Sequence, residues 1–248
     1  MTRASAVFTG LAIMLSGMVQ AHDVTVLSGG AVEPGLNAAA AAFQKATGHA
    51  VKITYNTTPQ IRKRVAAGET FDVVIAPPAA VKDFTAAGKV EAGGVDIGKV
   101  GMGVVIRPGA PVPDIANAEA IKRTVLEAES IVFNRASSGL YFEGLLKKMG
   151  VYEQIEARAA RYATGAEVME HVLKGKGKEV GFGPITEILQ YRDKGLRLVG
   201  PLPAEIQNYT SYTAVAMSAG ANKAEAQELV RYLGGPAGKK LFVAAGIE

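Results

Sequence analysis

The sequence predicts an α/β protein of two lobes, each a mainly parallel sheet flanked by helices, with two strands crossing between them. Three observations carry this expectation. Short β-branched segments alternate with helical stretches along most of the 248 residues. The segment Phe71-Asp72-Val73-Val74-Ile75 is almost wholly apolar, as a strand covered on both faces must be. Two longer strand-like segments, at 100–106 and 209–217, bracket a region in which the strand–helix rhythm restarts. The expected division is a leader at 1–21, a first lobe from 22–100 with 212–248, and a second lobe inserted at 101–211. A single doubly wound sheet would give similar alternation and is the alternative.

Each element follows from its residues. Val24-Thr25-Val26-Leu27 is a short strand, followed by Gly29-Gly30 and a helix whose Pro34 suits a first turn. Leu36, Ala39, Ala40, Phe43 and Thr47 share one face of that helix, and Gly48 ends it. Val51-Lys52-Ile53-Thr54-Tyr55 is the second strand, and Thr57-Thr58-Pro59 opens a helix to about Ala67. In the second lobe, Ile131-Val132-Phe133 leads through Asn134-Arg135-Ala136-Ser137-Ser138-Gly139 into a helix with Phe142, Leu145, Leu146 and Met149 on its buried stripe. A helix at 167–173, a strand at Val180-Gly181-Phe182, a helix from Pro184 and a strand at Arg197-Leu198-Val199 follow, before the Pro-rich break Gly200-Pro201-Leu202-Pro203. Two helices close the chain, one with Ala226, Leu229, Val230 and Leu233 on a face and one from Pro236.

Residues 1–21 have the pattern of a secretory signal peptide: Arg3, an apolar run at 4–19, and Val19-Gln20-Ala21 before the expected cleavage. The run is shorter than the roughly 20 residues a spanning helix needs, so an exported, periplasmic protein is expected over an anchored one. The expected mature chain of 227 residues can bury a core without disulfides, and the sequence has no cysteine, which excludes thiolate metal sites and cysteine nucleophiles. Arg3 is the leader's one charge, so the net charge falls from +4 to +3, too mild for a nucleic-acid binder. The sequons at Asn56 and Asn208 are read as chance matches in a bacterial protein.

Four strand-to-helix turns carry small polar residues: Ser28-Gly29-Gly30-Ala31, Asn56-Thr57-Thr58, 134–139, and Gly183-Pro184-Ile185-Thr186. Open α/β sheets bind ligands at such turns, where unpaired N–H groups and helix dipoles make an anion site without formal positive charge. Arg135 lies inside one turn and could clamp an oxyanion, as could Arg62 and Arg64 after another. There is no G-x-S-x-G, H-E-x-x-H or P-loop, so a binding protein rather than an enzyme is expected, with no cofactor and no metal. Gly175-Lys176-Gly177-Lys178 precedes a strand and is read as a turn. Of the three histidines, His49 is read as helix-end punctuation and His171 as mid-helix. An N-terminal His22 could bind copper through its amine and ring, which keeps a copper enzyme as an alternative; a disordered terminus is the plainer expectation.

The segment from Val24 through Ala31, the helix to Phe43, and Gly68-Glu69-Thr70-Phe71-Asp72-Val73-Val74-Ile75-Ala76 resemble the first lobe of periplasmic molybdate-binding proteins. Ser138-Gly139-Leu140-Tyr141 with Leu146-Lys147-Lys148-Met149-Gly150 is similar to that family's second-lobe anion turn, and Val180-Gly181-Phe182-Gly183 and Tyr212-Thr213-Ala214-Val215 match later elements in order. The resemblance implies a type II periplasmic binding protein that delivers an oxyanion to an ABC transporter permease. The implied partners are a small anion and the permease, with no nucleic acid, and the protein is expected to be a monomer. By position it places ligand contacts at Ala31, Thr58, Ser138, Ala166 and Pro184, and the turns add Gly30, Thr57, Ser137 and Arg135. Ala31 stands where the family has serine and Pro184 where it has tyrosine. Each missing bond to a charge costs about 1.5–3 kcal/mol, which argues against molybdate and leaves another oxyanion, a carboxylate or a phosphonate-like molecule. A ligand sensor that does not transport is the other alternative.

Overall fold

A computed structural model describes residues 22–248; the expected signal peptide lies outside the described residues. Among the described residues eight strands form one continuous path in the order β2-β1-β3-β9-β4-β7-β5-β6, and a ninth, β8, pairs with β4 off that path. The first lobe begins with β1 (Asp23–Gly29), α1 (Glu33–Thr47), β2 (Ala50–Asn56), α2 (Thr58–Ala66), β3 (Val73–Ala76) and α3 (Pro78–Ala86). After β4 (Val95–Ile106) come α4 (Ala118–Glu127), β5 (Ser130–Asn134), α5 (Ser137–Lys148), α6 (Tyr152–Ile155), β6 (Ala159–Tyr162), α7 (Gly165–Lys174), β7 (Glu179–Pro184), α8 (Ile185–Leu189) and β8 (Arg197–Pro201). The chain returns through β9 (Tyr209–Ala216) to α9 (Lys223–Gly234) and α10 (Pro236–Ala244).

Each lobe holds three parallel strands: β2, β1 and β3 in the first, and β7, β5 and β6 in the second. The join is antiparallel. β4 pairs with β9 from Val95 to Gly101, then with β7 and β8 from Met102 to Ile106. One strand therefore belongs to both sheets, and β9 starts beside it at the crossing. Gly98, at φ +131°, marks the irregularity in the β4–β9 ladder, where a Cβ would lie 2.8 Å from the Glu248 carbonyl oxygen.

The cores are separate on either side of that join. Val26, Leu36, Phe43, Val73, Leu229 and Phe242 pack one face of the first sheet, and Leu27, Ile61, Val74 and Phe84 the other. In the second lobe Phe142 stacks on Phe182 with ring centroids 4.0 Å apart and meets Phe133 edge-on at 5.5 Å. α1 ends as expected, with Gly48 at φ 83° donating its N–H to the Gln44 carbonyl. The apolar third strand, Val73–Ala76, is buried along its whole length. Helices α3, α4 and α6 and strand β6 lie beyond the sequence expectation. The Pro-rich break also differs, because Gly200 and Pro201 extend β8; Pro201 is tolerated there because β8 is an edge strand.

Asp72 ties three segments together just before β3. Its carboxylate accepts from the Thr25 N–H and hydroxyl (both 2.8 Å), the Asn222 N–H (2.8 Å) and the Asn222 amide (3.2 Å). Burial raises its pKa, but these bonds outweigh burial and hold it below the ordinary 3.8. A depressed folded-state pKa gives stability that is present above pH 4 and lost as pH falls further. Asp72→Ala is accordingly expected to cost about 2 kcal/mol in denaturant unfolding at pH 7, with the difference from the native protein shrinking toward pH 3.

Candidate functional site

A cavity of about 420 Å3 opens between the lobes where β4 passes from one sheet to the other. Four helices of nine residues or more present their first turns to it, α1 through the 3-10 turn Gly30–Val32 and α2, α5 and α7 directly, and the short α8 adds Pro184 and Glu187. First-turn N–H groups have no partner within their helix, so each start contributes donors and a positive dipole end.

Local sequence fixes each start. At α2, the Gln60 side-chain oxygen accepts from the Thr57 N–H (2.8 Å) and hydroxyl (3.0 Å), which leaves Thr58 at the cavity wall. At α5, Asn134 Oδ1 accepts from the N–H groups of Ala136 (3.0 Å) and Gly139 (3.1 Å), curling the turn so that Ser137 and Ser138 face inward. The Ser138 hydroxyl sits 3.2 Å from the Asn134 amide nitrogen, which donates to it. At α7, Thr164 and Glu167 form a capping box: Thr164 N–H donates to Glu167 (2.8 Å) and Glu167 N–H to the Thr164 hydroxyl (3.3 Å). Gly165 and Ala166 follow on the cavity wall.

Among the described residues two hydrogen bonds from side-chain hydroxyls cross the cleft between the lobes. The Ser137 hydroxyl donates to the Thr58 hydroxyl at 3.2 Å, and the buried Thr186 hydroxyl donates to the Ala31 carbonyl at 2.6 Å. The second one commits Thr186 to holding the lobes in register.

Among the described residues no Lys, Arg or His lines the cavity, and the charged ones that do are Glu33 and Glu187. Glu187 Oε2 is buried with no hydrogen-bond partner. The carboxyl rests against the helix starts: a Cβ on Gly165 would lie 1.6 Å from Oε2, and one on Gly30 3.3 Å from Oε1. Burial, reinforced by the Glu33 charge, pushes the Glu187 pKa up to about 7. Burial also raises Glu33, against a lowering bond from Asn37. The hydroxyls of Tyr55 and Tyr212, which line the same cavity, are raised by burial first and by neighbouring carboxyls second, so both stay protonated.

Of the residues expected from sequence, Gly30, Ala31, Thr57, Thr58, Ser137, Ser138, Ala166 and Pro184 lie around this one cavity. Arg135 does not: its N–H donates to the Tyr162 carbonyl and its side chain is exposed outside the cavity wall, so it is no clamp. Neither Arg62 nor Arg64 lines the cavity: Arg62 pairs with Asp83, and Arg64 pairs with Glu69 and donates to Asn56 Oδ1 (2.7 Å), a residue of the cavity wall. His22 is held rather than loose, its ring bonded to Glu225 (2.7 Å) and its N–H to His49 Nδ1 (3.1 Å). His171 bonds the Tyr162 hydroxyl at 2.7 Å. Among the described residues no three His, Cys, Asp or Glu side chains are grouped to hold a metal, and no helix is long and apolar enough to cross a membrane.

Glu187, Glu33, Tyr55 and Tyr212 were not expected at the site. The signal for Glu187 was present: it lies three residues after Pro184, where an acid in a helix's first turn reads as ordinary dipole compensation. What sequence could not show is that this turn faces the other lobe.

Comparison with known proteins fits this geometry. The family model for bacterial extracellular solute-binding proteins matches residues 24–248. An aconitate isomerase from Pseudomonas sp. is 29% identical over 231 residues, covering 91% of this chain and 87% of that protein. The periplasmic molybdate-binding protein of Azotobacter vinelandii superposes with a TM-score of 0.75 at 20% identity, covering 91% of this chain and 98% of its own. A sulfate-binding protein of Mycobacterium tuberculosis gives 0.74 at 17% identity, covering 91% and 86%. These two structures share the fold, that of type II periplasmic binding proteins.

Proposed function

The chain belongs to the family of bacterial extracellular solute-binding proteins, and on that premise we propose that it captures a small anion between its lobes in the periplasm and delivers it to an ABC transporter permease. One observation carries this reading: four helix starts from two lobes meet at one cavity that no cation lines among the described residues. Ligand donors on both lobes would be engaged together only when the lobes meet, so closure gains affinity. The cavity volume of about 420 Å3 falls among small-molecule sites, roughly 300–1,000 Å3, and exceeds what a tetrahedral oxyanion needs. Two carboxyls on its wall disfavour a fully ionised compact dianion. An organic carboxylate, with its charge spread over several atoms, fits better than molybdate.

Thermal-shift measurements against molybdate, tungstate, sulfate, phosphate, citrate and trans-aconitate test this. The organic acids are expected to stabilise most, and stabilisation by none of the panel would refute anion capture. Thr58→Ala and Ser138→Ala are each expected to weaken binding about tenfold by removing one donor to a charge, near 1.4 kcal/mol. Unchanged affinity in both would move the site elsewhere.

A second reading is favoured by a specific pair of observations. The relative at 29% identity is named for acting on aconitate, and Glu187 offers a proton-exchanging group beside the anion donors. In that reading the cleft converts its bound anion instead of handing it on.

A further inference from the structure

We propose that Glu187 is a catalytic acid–base residue of the interlobe cleft, acting on an unsaturated polycarboxylate held by the surrounding helix starts. The inference rests on the second reading above, that the cleft converts its anion.

The protein itself shows how a purely structural carboxylate is treated. Asp72 accepts four hydrogen bonds. Glu179 accepts from the N–H groups of Lys176 (3.0 Å) and Gly177 (2.9 Å) and lies 3.6 Å from Arg107. Glu187 Oε2 receives none of this, although that oxygen is buried. Its place is nevertheless built. A Cβ at 165 would displace Oε2 from where it sits, and the carboxyl lies against Gly165 of its own lobe and Gly30 of the other. A buried carboxyl oxygen without a partner is costly unless something in the site uses it.

The groups facing it favour proton exchange at neutral pH. Glu33 enters the cavity from the first lobe and adds a like charge. Tyr212 on β9 and Tyr191 after α8 face it with hydroxyls whose pKa values are raised, by burial first, so neither competes as a base. Glu187 is thus the group around the cavity whose titration is pushed up to about 7, matched to general acid–base work at physiological pH.

The chemistry balances on this one residue. In an unsaturated polycarboxylate, a CH2 beside the double bond is acidified by the double bond and by its carboxylate. The Glu187 carboxylate takes one of those protons as the C–H bond breaks. The electron pair spreads over the three-carbon unit and its carboxylates, where first-turn N–H groups offset the growing charge. The Glu187 acid then returns the proton to the far carbon, the double bond having moved by one position. One C–H bond breaks and one forms, and the double bond can re-form with either geometry. The carboxylate ends as it began, and no oxidant or reductant is needed.

The test uses the full chain with cis- and trans-aconitate in D2O, followed by proton NMR, with thermal shift reporting binding. The native protein is expected to interconvert the isomers with deuterium entering the CH2 position, and the rate to rise with pH through about 7. Glu187→Gln should still be stabilised by aconitate while converting it at least 100-fold more slowly. Glu187→Asp, which keeps the carboxyl but withdraws it by one methylene, should be at least tenfold slower with a pH-dependent rate retained. If Glu187→Gln converts at the native rate, the assignment of Glu187 is overturned while conversion in the cleft stands. If the native protein binds aconitate with neither conversion nor exchange, the inference and the conversion reading fall together, and anion capture alone remains.

Discussion

Glu187→Gln is expected to stabilise the ligand-free protein by about 3 kcal/mol at pH 8 and to change it little at pH 5. The sign follows from proton linkage. In the unfolded chain this carboxyl ionises near its ordinary 4.5, whereas in the folded protein burial and Glu33 hold the proton until about pH 7. Between those values the folded state binds the extra proton, so native stability falls as pH rises, and the full loss is reached above pH 7. Glutamine keeps the shape and carries no charge, so it removes the loss without opening a cavity. Urea unfolding of both proteins at pH 5 and pH 8 measures the difference. Equal stability at both values would mean that Glu187 ionises in the folded state as easily as in solvent.

Gly139→Ala is expected to destabilise the protein by about 3 kcal/mol, the upper end for overpacking, and to abolish tight anion binding. Alanine ordinarily stabilises a helix by up to about 1 kcal/mol over glycine, so the predicted sign is reversed here. A Cβ at 139 would lie 1.8 Å from the Asn134 carbonyl oxygen and 2.6 Å from Asn134 Oδ1, which accepts the Gly139 N–H. The carbonyl is backbone, and Oδ1 is held by the N–H groups of Ala136 and Gly139. Relief requires moving the start of α5, and with it Ser137 and Ser138. Gly144→Ala is the control: it lies in the same helix with nothing within 4 Å of its Cβ position and should be neutral or mildly stabilising. Denaturant unfolding of the two variants decides the matter, since similar effects would remove the special role of the 134–139 turn.

How much was legible differs between fold and site. The strands and most helices were readable because their signals are local. Val73–Ala76 is apolar on both faces, α1 begins beside Pro34 and ends at Gly48, and the α5 stripe of Phe142, Leu145 and Leu146 is buried as its spacing implies. β6 was missed because Ala159-Ala160-Arg161-Tyr162 is four residues long at a sheet edge, with no apolar run to announce it. The turns bearing Ala31, Thr58 and Ser138 were readable as helix starts, because capping chemistry is written in adjacent residues. Arg135 misled for the complementary reason. Its position in such a turn suggested a clamp, but its direction depends on the Tyr162 carbonyl of a strand that the sequence did not reveal.

By itself, then, the sequence determined the βα rhythm, the crossing segments, the absence of thiol chemistry and the amide-rich turns, all of which rest on contacts within a few residues. Only the tertiary structure decided that Glu187 and Glu33, far apart along the chain and in different lobes, border one cavity that no cation lines among the described residues. Nor could any local pattern reveal that glycine at 165 makes room for the Glu187 carboxyl. The physical reason is that a carboxyl's acidity is set by what surrounds it in space. Water withdrawn by a second lobe, and a like charge brought in from it, leave no trace in the neighbouring letters of the chain.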